Sequence, residues 1–388
     1  MATTMVSIES SVPSPGTRDI DPAHFFLVRG RHDILRLQPV LATLSTVCGQ
    51  TGAMDYLEYF LTMTENLKKI PYLVLVASRS DADVFRLEAG DLRCAALVYE
   101  YKLFGLSSGV FSSSDFNGNR ATIAAADERV KLSTMACRFL MDQGARAVML
   151  SFAVSGGESS EDFLDYARAG KKKRWWSSQT REVGATILLQ KSFDETLATL
   201  GSETRRNLRR YRRKAEEELG CSFAGDLNET LTLSELIDLN RASTHPVADV
   251  LLERRHGMIR SLEGSFCVGV RQAGGQWISL LGGRRHHRVT EIDWQLNRSG
   301  LAKYSVGTVM RAYVLEHETG LETERLFFEG GTPHTMRHSF VSETAVDLIA
   351  VKNSPLPLLL RRMCLWLGPG RNFLLQTLAD RKLVWKLI

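Results

Sequence analysis

The order of elements in this chain repeats, and that repetition limits the folds open to it. In the first half, the apolar β-rich runs PYLVLVAS, DVFRLE and CAALVYEYKLF follow a helical region that includes 50–67. They lead to a helical pattern over 124–141, a glycine at Gly144 and the run ARAVMLSFAV. In the second half, SFCVGVRQ, QWISLLGG and RVTEIDWQLN lead to a helical pattern over 306–317, a glycine at Gly320 and ERLFFEGG. Strand-like runs that alternate with helices, twice in the same order, describe an α/β protein of two related lobes. In both halves a helix closes on glycine and feeds a short buried strand.

Length agrees with two lobes. A chain of 388 residues exceeds what one core ordinarily fills, and two lobes of about 150–170 residues each suit it. The boundaries read as a Ser/Thr/Pro-rich disordered tail over 1–22, a first lobe over 23–190, a second over 191–352 and a C-terminal helical tail over 353–388. Between the lobes, KKKRWWSSQTREVGATILLQ reads as a basic, aromatic loop running into a strand-like crossover. Ser192, with Glu195 three residues later, carries the signature of a capped helix start, and Ser202 stands where it can cap the next helix.

Several classes are excluded. With 44% hydrophobic and 24% charged residues the chain is not disordered as a whole. A formal charge of +5 is too small for this length to mark a nucleic-acid binder by itself. No window approaches the roughly 18 apolar residues of a membrane span, and the first twenty residues lack the apolar run of a signal peptide. Six scattered cysteines without a C-x-x-C pair read as free thiols of a reducing compartment, with no metal site. The expected location is the cytoplasm. LPLLLRRMCLWLG, near the C-terminus, is apolar enough either to dock on the first lobe or to touch the inner face of a membrane.

The densest charge lies in RRNLRRYRRKAEEELG, residues 205–220. On a helical period Leu208, Tyr211, Ala215 and Leu219 share one stripe, and Arg206, Arg209, Arg210 and Arg213 fall away from it. The basic face is either solvated or a ridge for an anionic partner.

Three blocks in order carry a family resemblance: FDETLATLGSETRRNLRRYRRKAEEELG, AKYSVGTVMRAYVLEHE and LFFEGGTPHTMRHSF. Together they resemble the acyltransferase domain of the GNAT superfamily's cellulose-biosynthesis-type branch, which is related to the Fem-type peptidyltransferases. Val306 stands where that family has proline, and Met336 and Arg337 stand where it has Tyr-Lys. The resemblance implies tandem GNAT-like lobes, each a mixed twisted sheet flanked by helices, with the acyl-donor loop kept only in the second. It implies acyl-CoA as donor substrate, bound at Tyr304, Ser305, Val306, Gly307 and Thr308, where a helix N-terminus offers free N–H groups to a pyrophosphate.

Acyl transfer to an amine needs a base and a donor for the thioester oxygen. On VTEIDWQLN strict alternation puts Glu291, Asp293 and Gln295 on one face, which makes Glu291 and Asp293 candidate bases. Glu329, His334 and His338 are the further candidates, and Arg206, Arg209, Arg213 and Arg337 are candidate substrate or anion contacts. Residues 105–109 match G-x-S-x-G, but no helix follows the serine as a nucleophile elbow requires. The expected activity is N-acyl transfer from a thioester to an amine of a sugar, amino acid or peptide, with an acyl carrier protein or a tRNA as the alternative source of the donor. The alternatives are a Fem-type aminoacyl-tRNA-dependent transferase and a non-catalytic accessory of polysaccharide biosynthesis.

Overall fold

The computed structural model describes residues 23–50, 53–66, 69–79, 83–103, 106–113, 120–153, 174–286, 288–329 and 341–352. The two expected tails and the sites at His334, Arg337 and His338 lie outside these residues. The chain divides into two compact units, Met1–Arg181 with Thr344–Ile388, and Glu182–Glu343.

The first unit runs β1 (His24–Arg29), α1 (Arg31–Arg36), α2 (Gln38–Val47), α3 (Ala53–Asn66), β2 (Ile70–Ala77), β3 (Leu92–Leu103), β4 (Leu106–Ser112), β5 (Thr122–Ala124), α4 (Arg129–Asp142) and β6 (Ala147–Ala153). The second is built from β7 (Arg174–Leu188), α5 (Phe193–Thr199), α6 (Ser202–Leu219), β8 (Ser222–Ala224), α7 (Leu233–Arg241), α8 (Asp249–Ser261), β9 (Ser265–Arg271), β10 (Trp277–His286), β11 (Val289–Asn297), α9 (Val306–Gly320) and β12 (Arg325–Glu329). The last strand, β13 (Val341–Lys352), returns to the first unit.

The two sheets follow one plan. In the first unit the order is β1-β2-β3-β4-β6-β13, with β5 alongside β3, and in the second it is β8-β9-β10-β11-β12-β7. One pair in each is parallel, β4 with β6 and β11 with β12. The strands of each parallel pair are joined through a helix, α4 or α9, because parallel neighbours need a crossover connection. In each unit an antiparallel strand follows the parallel pair, β13 against β6 and β7 against β12. Each unit is therefore a mixed α/β sheet with helices packed on it.

Burial explains the layers. In the first unit Val74, Val76, Val98, Val148 and Leu150 pack against Leu132, Ala136 and Leu140 of α4. In the second unit both faces of the sheet are covered. On one face Phe266, Val268, Ile278 and Leu326 meet Leu208 and Ala215 of α6 and Val309 and Met310 of α9. On the other, Cys267, Trp277, Leu280 and Leu296 meet Leu236 and Leu239 of α7 and Leu252 and Ile259 of α8. These apolar sets are what hold α9 against the sheet. The buried carboxylate of Glu318 adds a polar latch, accepting from Arg285 at 2.6 and 3.2 Å and from the Thr290 hydroxyl at 2.5 Å.

Local expectations fail where short-range chemistry overrides pattern. The first unit opens on a strand rather than a helix. DVFRLE forms a 3₁₀ turn at Val84–Arg86, because the Asp83 carboxylate accepts the Phe85 amide at 3.1 Å and so favours a turn. The loop expected after 171 is already strand from Arg174. Ser192 does cap α5, accepting the Glu195 amide at 3.2 Å, but Ser202 lies inside α6 and the cap position belongs to Gly201. Gly144, at φ +100°, ends the α4 segment as expected. Gly320 remains helical, and the left-handed residue beyond α9 is Glu322 at φ 57°.

Candidate functional site

Among the described residues the parallel pairing of β11 with β12 runs only as far as Ile292 and Phe328. Val289, Thr290, Glu291 and Ile292 pair with Arg325, Leu326, Phe327 and Phe328, and among the described residues Trp294, Gln295, Leu296 and Asn297 pair only with β10. At that same point β11 contains a bulge. Gly282 opposes Trp294 and Gly283 opposes Ile292, so Asp293 is the extra residue.

The glycines of β10 make this geometry possible. A Cβ on Gly283 would stand 1.8 Å from the Glu291 carbonyl oxygen, and one on Gly282 would overlap the Trp294 ring at 2.4 Å. No other residue type fits at Gly283 without moving the backbone.

The bulge changes which residues share a face. Thr290 and Ile292 point toward α9, and Glu291 points the opposite way, toward α7 and α8. Beyond Asp293 the alternation is reset. Trp294 and Leu296 pack on the α7 and α8 side, whereas Gln295 and Asn297 turn toward α9. The expectation that Glu291, Asp293 and Gln295 share one face is therefore corrected: Gln295 lies across the sheet from the two carboxylates.

Arg284 gathers those carboxylates. Its Nη2 donates to Glu291 Oε2 at 2.7 Å and its Nε to Asp293 Oδ2 at 3.3 Å. His286 Nε2 lies 2.8 Å from Glu291 Oε1. The Glu291 side chain is 0% exposed and that of Asp293 is 13% exposed. Only Asp293 reaches the surface where the strands part, and Glu291 is enclosed in an ion-pair cluster. A charge in that position is held by its partners and is costly to leave alone.

On the α9 side stands the loop expected to bind the donor. Tyr304 is buried, and Ser305 adopts left-handed φ 48°, ψ 57°. The amides of Thr308 and Val309 donate to the Ser305 carbonyl at 2.7 and 3.1 Å. Those of Val306 and Gly307, at the helix start, donate to no group among the described residues. The Ser305 side chain caps no amide, and its Oγ lies 2.8 Å from Thr308 Oγ1. The loop sits over the free stretch of β11, since a Cβ on Gly307 would be 3.4 Å from Asn297 Nδ2 and 3.7 Å from Gln295 Nε2. Asn297 Oδ1 accepts from Ser279 Oγ at 2.8 Å and Gln295 Nε2 at 2.9 Å. One turn into α9, Arg311 lies 5.8 Å from the centre of the Phe328 ring, and burial lowers its pKa to about 10.

The remaining candidates are placed as follows. Glu329 ends β12, its backbone paired with Gly184, and its side chain lies outside the described set together with His334, His338 and Arg337. Arg206, Arg209 and Arg213 are exposed on α6, Arg209 bound to Asp194 at 2.7 Å and Arg213 3.9 Å from Glu217. Among the described residues no hydrogen bond or ion pair joins any of the three to residues 304–308. Arg284, Asn297 and Ser279 were missed by sequence reasoning. The one available signal was charge in a strand interior, at Arg284 and Arg285. In the G-x-S-x-G match, Ser107 and Ser108 lie within strand β4, where Ser107 donates to Glu100 and Ser108 to the Tyr101 carbonyl.

The first unit lacks this arrangement among its described residues. Its parallel pair holds from Val110 to Ser112, and the pairing is continued by the Ser113 amide on the Met149 carbonyl at 2.8 Å. The start of α4 carries Asp127 and Glu128, the latter paired with Arg93. Carboxylates there oppose an anionic ligand.

No family model and no curated protein matches the chain. Among solved structures it is similar to FemX, at 10% identity and a TM-score of 0.51 over 74% of this chain and 90% of that one. It also matches a tandem GNAT protein from the clavulanic acid biosynthesis pathway, at 12% identity and a TM-score of 0.47 over 85% and 99% of the two chains. A third match is a GCN5-related N-acetyltransferase from Sphaerobacter thermophilus, at 12% identity and a TM-score of 0.42 over 84% and 95%. The likeness is one of fold, and FemX carries it. No helix among the described residues is long and apolar enough to cross a membrane.

Proposed function

We propose that the second unit is an N-acyltransferase that moves an acyl group from a phosphopantetheine thioester, acyl-CoA in its simplest form, to an amine. The observation that supports this reading is the parting of β11 from β12 directly beside an open helix start. On the α9 face the amides of Val306 and Gly307 suit a pyrophosphate, as helix N-termini generally suit anions. On the opposite face Asp293 is the carboxylate within reach of solvent.

A thioester arm lying along the free edge of β11 hydrogen-bonds to its backbone and brings its carbonyl to the bulge. There Asp293 takes the proton of the incoming ammonium. The amine nitrogen then forms the new C–N bond, the C–S bond breaks, and the sulfur leaves as a thiol with the proton that the nitrogen gives up. Arg284 and Glu291 are positioning groups that fix the Asp293 side chain. The acceptor class in this reading is a sugar, amino acid or peptide amine. The test is incubation with acetyl-CoA and a panel of such amines, with thiol release and amide formation followed by mass spectrometry. Amide formation that Gly307→Glu abolishes supports the reading. Failure to consume the thioester with any amine refutes it.

A further inference from the structure

We propose that the exposed arginine face of α6 is a docking surface for an acidic, helical carrier protein that presents the acyl group on a phosphopantetheine arm. The inference rests on the donor-loop reading above and names the form in which the donor arrives.

Position comes first. Helix α6 runs antiparallel to α9: Arg212 meets Glu316 at 2.8 Å, Glu216 accepts from the Tyr313 hydroxyl at 2.7 Å, and Glu218 meets Lys303 at 3.3 Å. The C-terminal end of α6 therefore adjoins the donor loop, with Lys214 Nζ 5.5 Å from the centre of the Tyr304 ring. Arg206, Arg210 and Lys214 follow one another at i, i+4 and form a row of about 12 Å leading to that loop.

Charge comes second. Leu208 and Ala215 are buried on one side, and Arg206, Arg209, Arg210 and Arg213 are exposed on the other. The ion pairs of Arg209 and Arg213 are solvent-exposed, and such pairs contribute at most about 1 kcal/mol each, so a partner displaces them readily. A CoA pyrophosphate seated at the loop leaves this row unused. A second helix with carboxylates at i, i+4 matches its spacing.

Polarity decides the class of partner. Toward the donor loop the surface of α6 turns acidic at Glu217 and Glu218, both exposed. A nucleic-acid strand extended along the whole helix would meet those carboxylates at its end, whereas the basic row alone spans about two helical turns, the footprint of a short helix. A folded protein, acidic over the arginines and basic or neutral beyond them, does not meet that repulsion.

The test compares two donors and one binding reaction. The probes are a bacterial acyl carrier protein charged with an acetyl thioester, the same carrier unloaded, and acetyl-CoA. In the wild type, calorimetry should show carrier binding that weakens at least tenfold between 0.05 and 0.3 M salt. In the double variant Arg206→Glu/Arg210→Glu, carrier binding and kcat/KM for the charged carrier should both fall by a factor of ten or more. For acetyl-CoA, kcat/KM should stay within twofold. Arg206→Gln/Arg210→Gln should give an intermediate loss, which excludes misfolding as the cause. Equal losses with both donors, carrier binding indifferent to charge reversal, or retention of a tRNA mixture in place of the carrier would each overturn the proposal. Carrier binding that depends on salt and on the ridge, without turnover of either thioester, would uphold the docking surface and refute the transferase reading.

Discussion

Glu291 and Asp293 share Arg284, yet their removal should have opposite consequences. Glu291 has no exposure and sits 2.7 Å from Arg284 and 2.8 Å from His286. In Glu291→Ala the 6%-exposed Arg284 side chain loses its 2.7 Å carboxylate partner and faces Asp293 at the longer distances of 3.3 and 3.5 Å. Breaking a buried pair of this kind costs about 3–5 kcal/mol. At about 2–4 °C per kcal/mol for a unit of this size, Tm should fall by about 6–20 °C. Asp293→Asn keeps an oxygen for Arg284 near the surface and should cost less than about 1.5 kcal/mol. Its turnover should fall by about 10²–10⁴-fold, the contribution of a positioned base. That loss should shrink as pH rises and the amine deprotonates unaided. Scanning calorimetry and thiol release at pH 7 and 9 separate the two effects. Full activity in Asp293→Asn, or a large loss of turnover in Glu291→Ala without a fall in Tm, would refute the division of roles.

Other outcomes follow from the same geometry. Gly307→Glu should remove CoA binding by calorimetry at unchanged Tm, because the side chain starts 3.4 Å from Asn297 and brings a negative charge to the amides that face the ligand. Gly283→Ala should cost more than the roughly 1–3 kcal/mol of ordinary overpacking, since the added carbon meets backbone at 1.8 Å; a Tm equal to wild type would argue against the bulge. Burial holds the His317 pKa below its usual 6.5. As pH falls below about 6.5 the unfolded chain takes up this proton first, so stability should decline there. Replacing His317 by Gln should flatten that part of the stability profile measured in urea.

What could be read from the sequence was set by range. The helical period of residues 205–220 showed which side of α6 is buried, because Leu208 and Ala215 repeat at helical spacing and the arginines do not. The repeated strand–helix–strand order was legible for the same reason. The return of β13 to the first unit was not, since pairing across almost two hundred residues leaves no local trace. At the site, residues 305–308 were identifiable from the resemblance, but the left-handed backbone at Ser305 was not, because serine seldom adopts it. Alternation placed Gln295 beside Asp293, and one inserted residue reversed that. The glycine pair 282–283 was visible in the sequence, but its meaning depends on the strand opposite. Arg284 has a role only once Glu291 lies across from it.

The claim that the second unit holds the donor at its parted strands is tested most directly by following backbone amides while CoA is added. In isotope-labelled protein the resonances of Val306 and Gly307 should shift first and most, followed by those of residues 293–297 along the free edge of β11. The start of α4, with Asp127 and Glu128, should not respond. Saturable shifts confined to the first unit, or none at Val306 and Gly307 at millimolar CoA, would contradict the account.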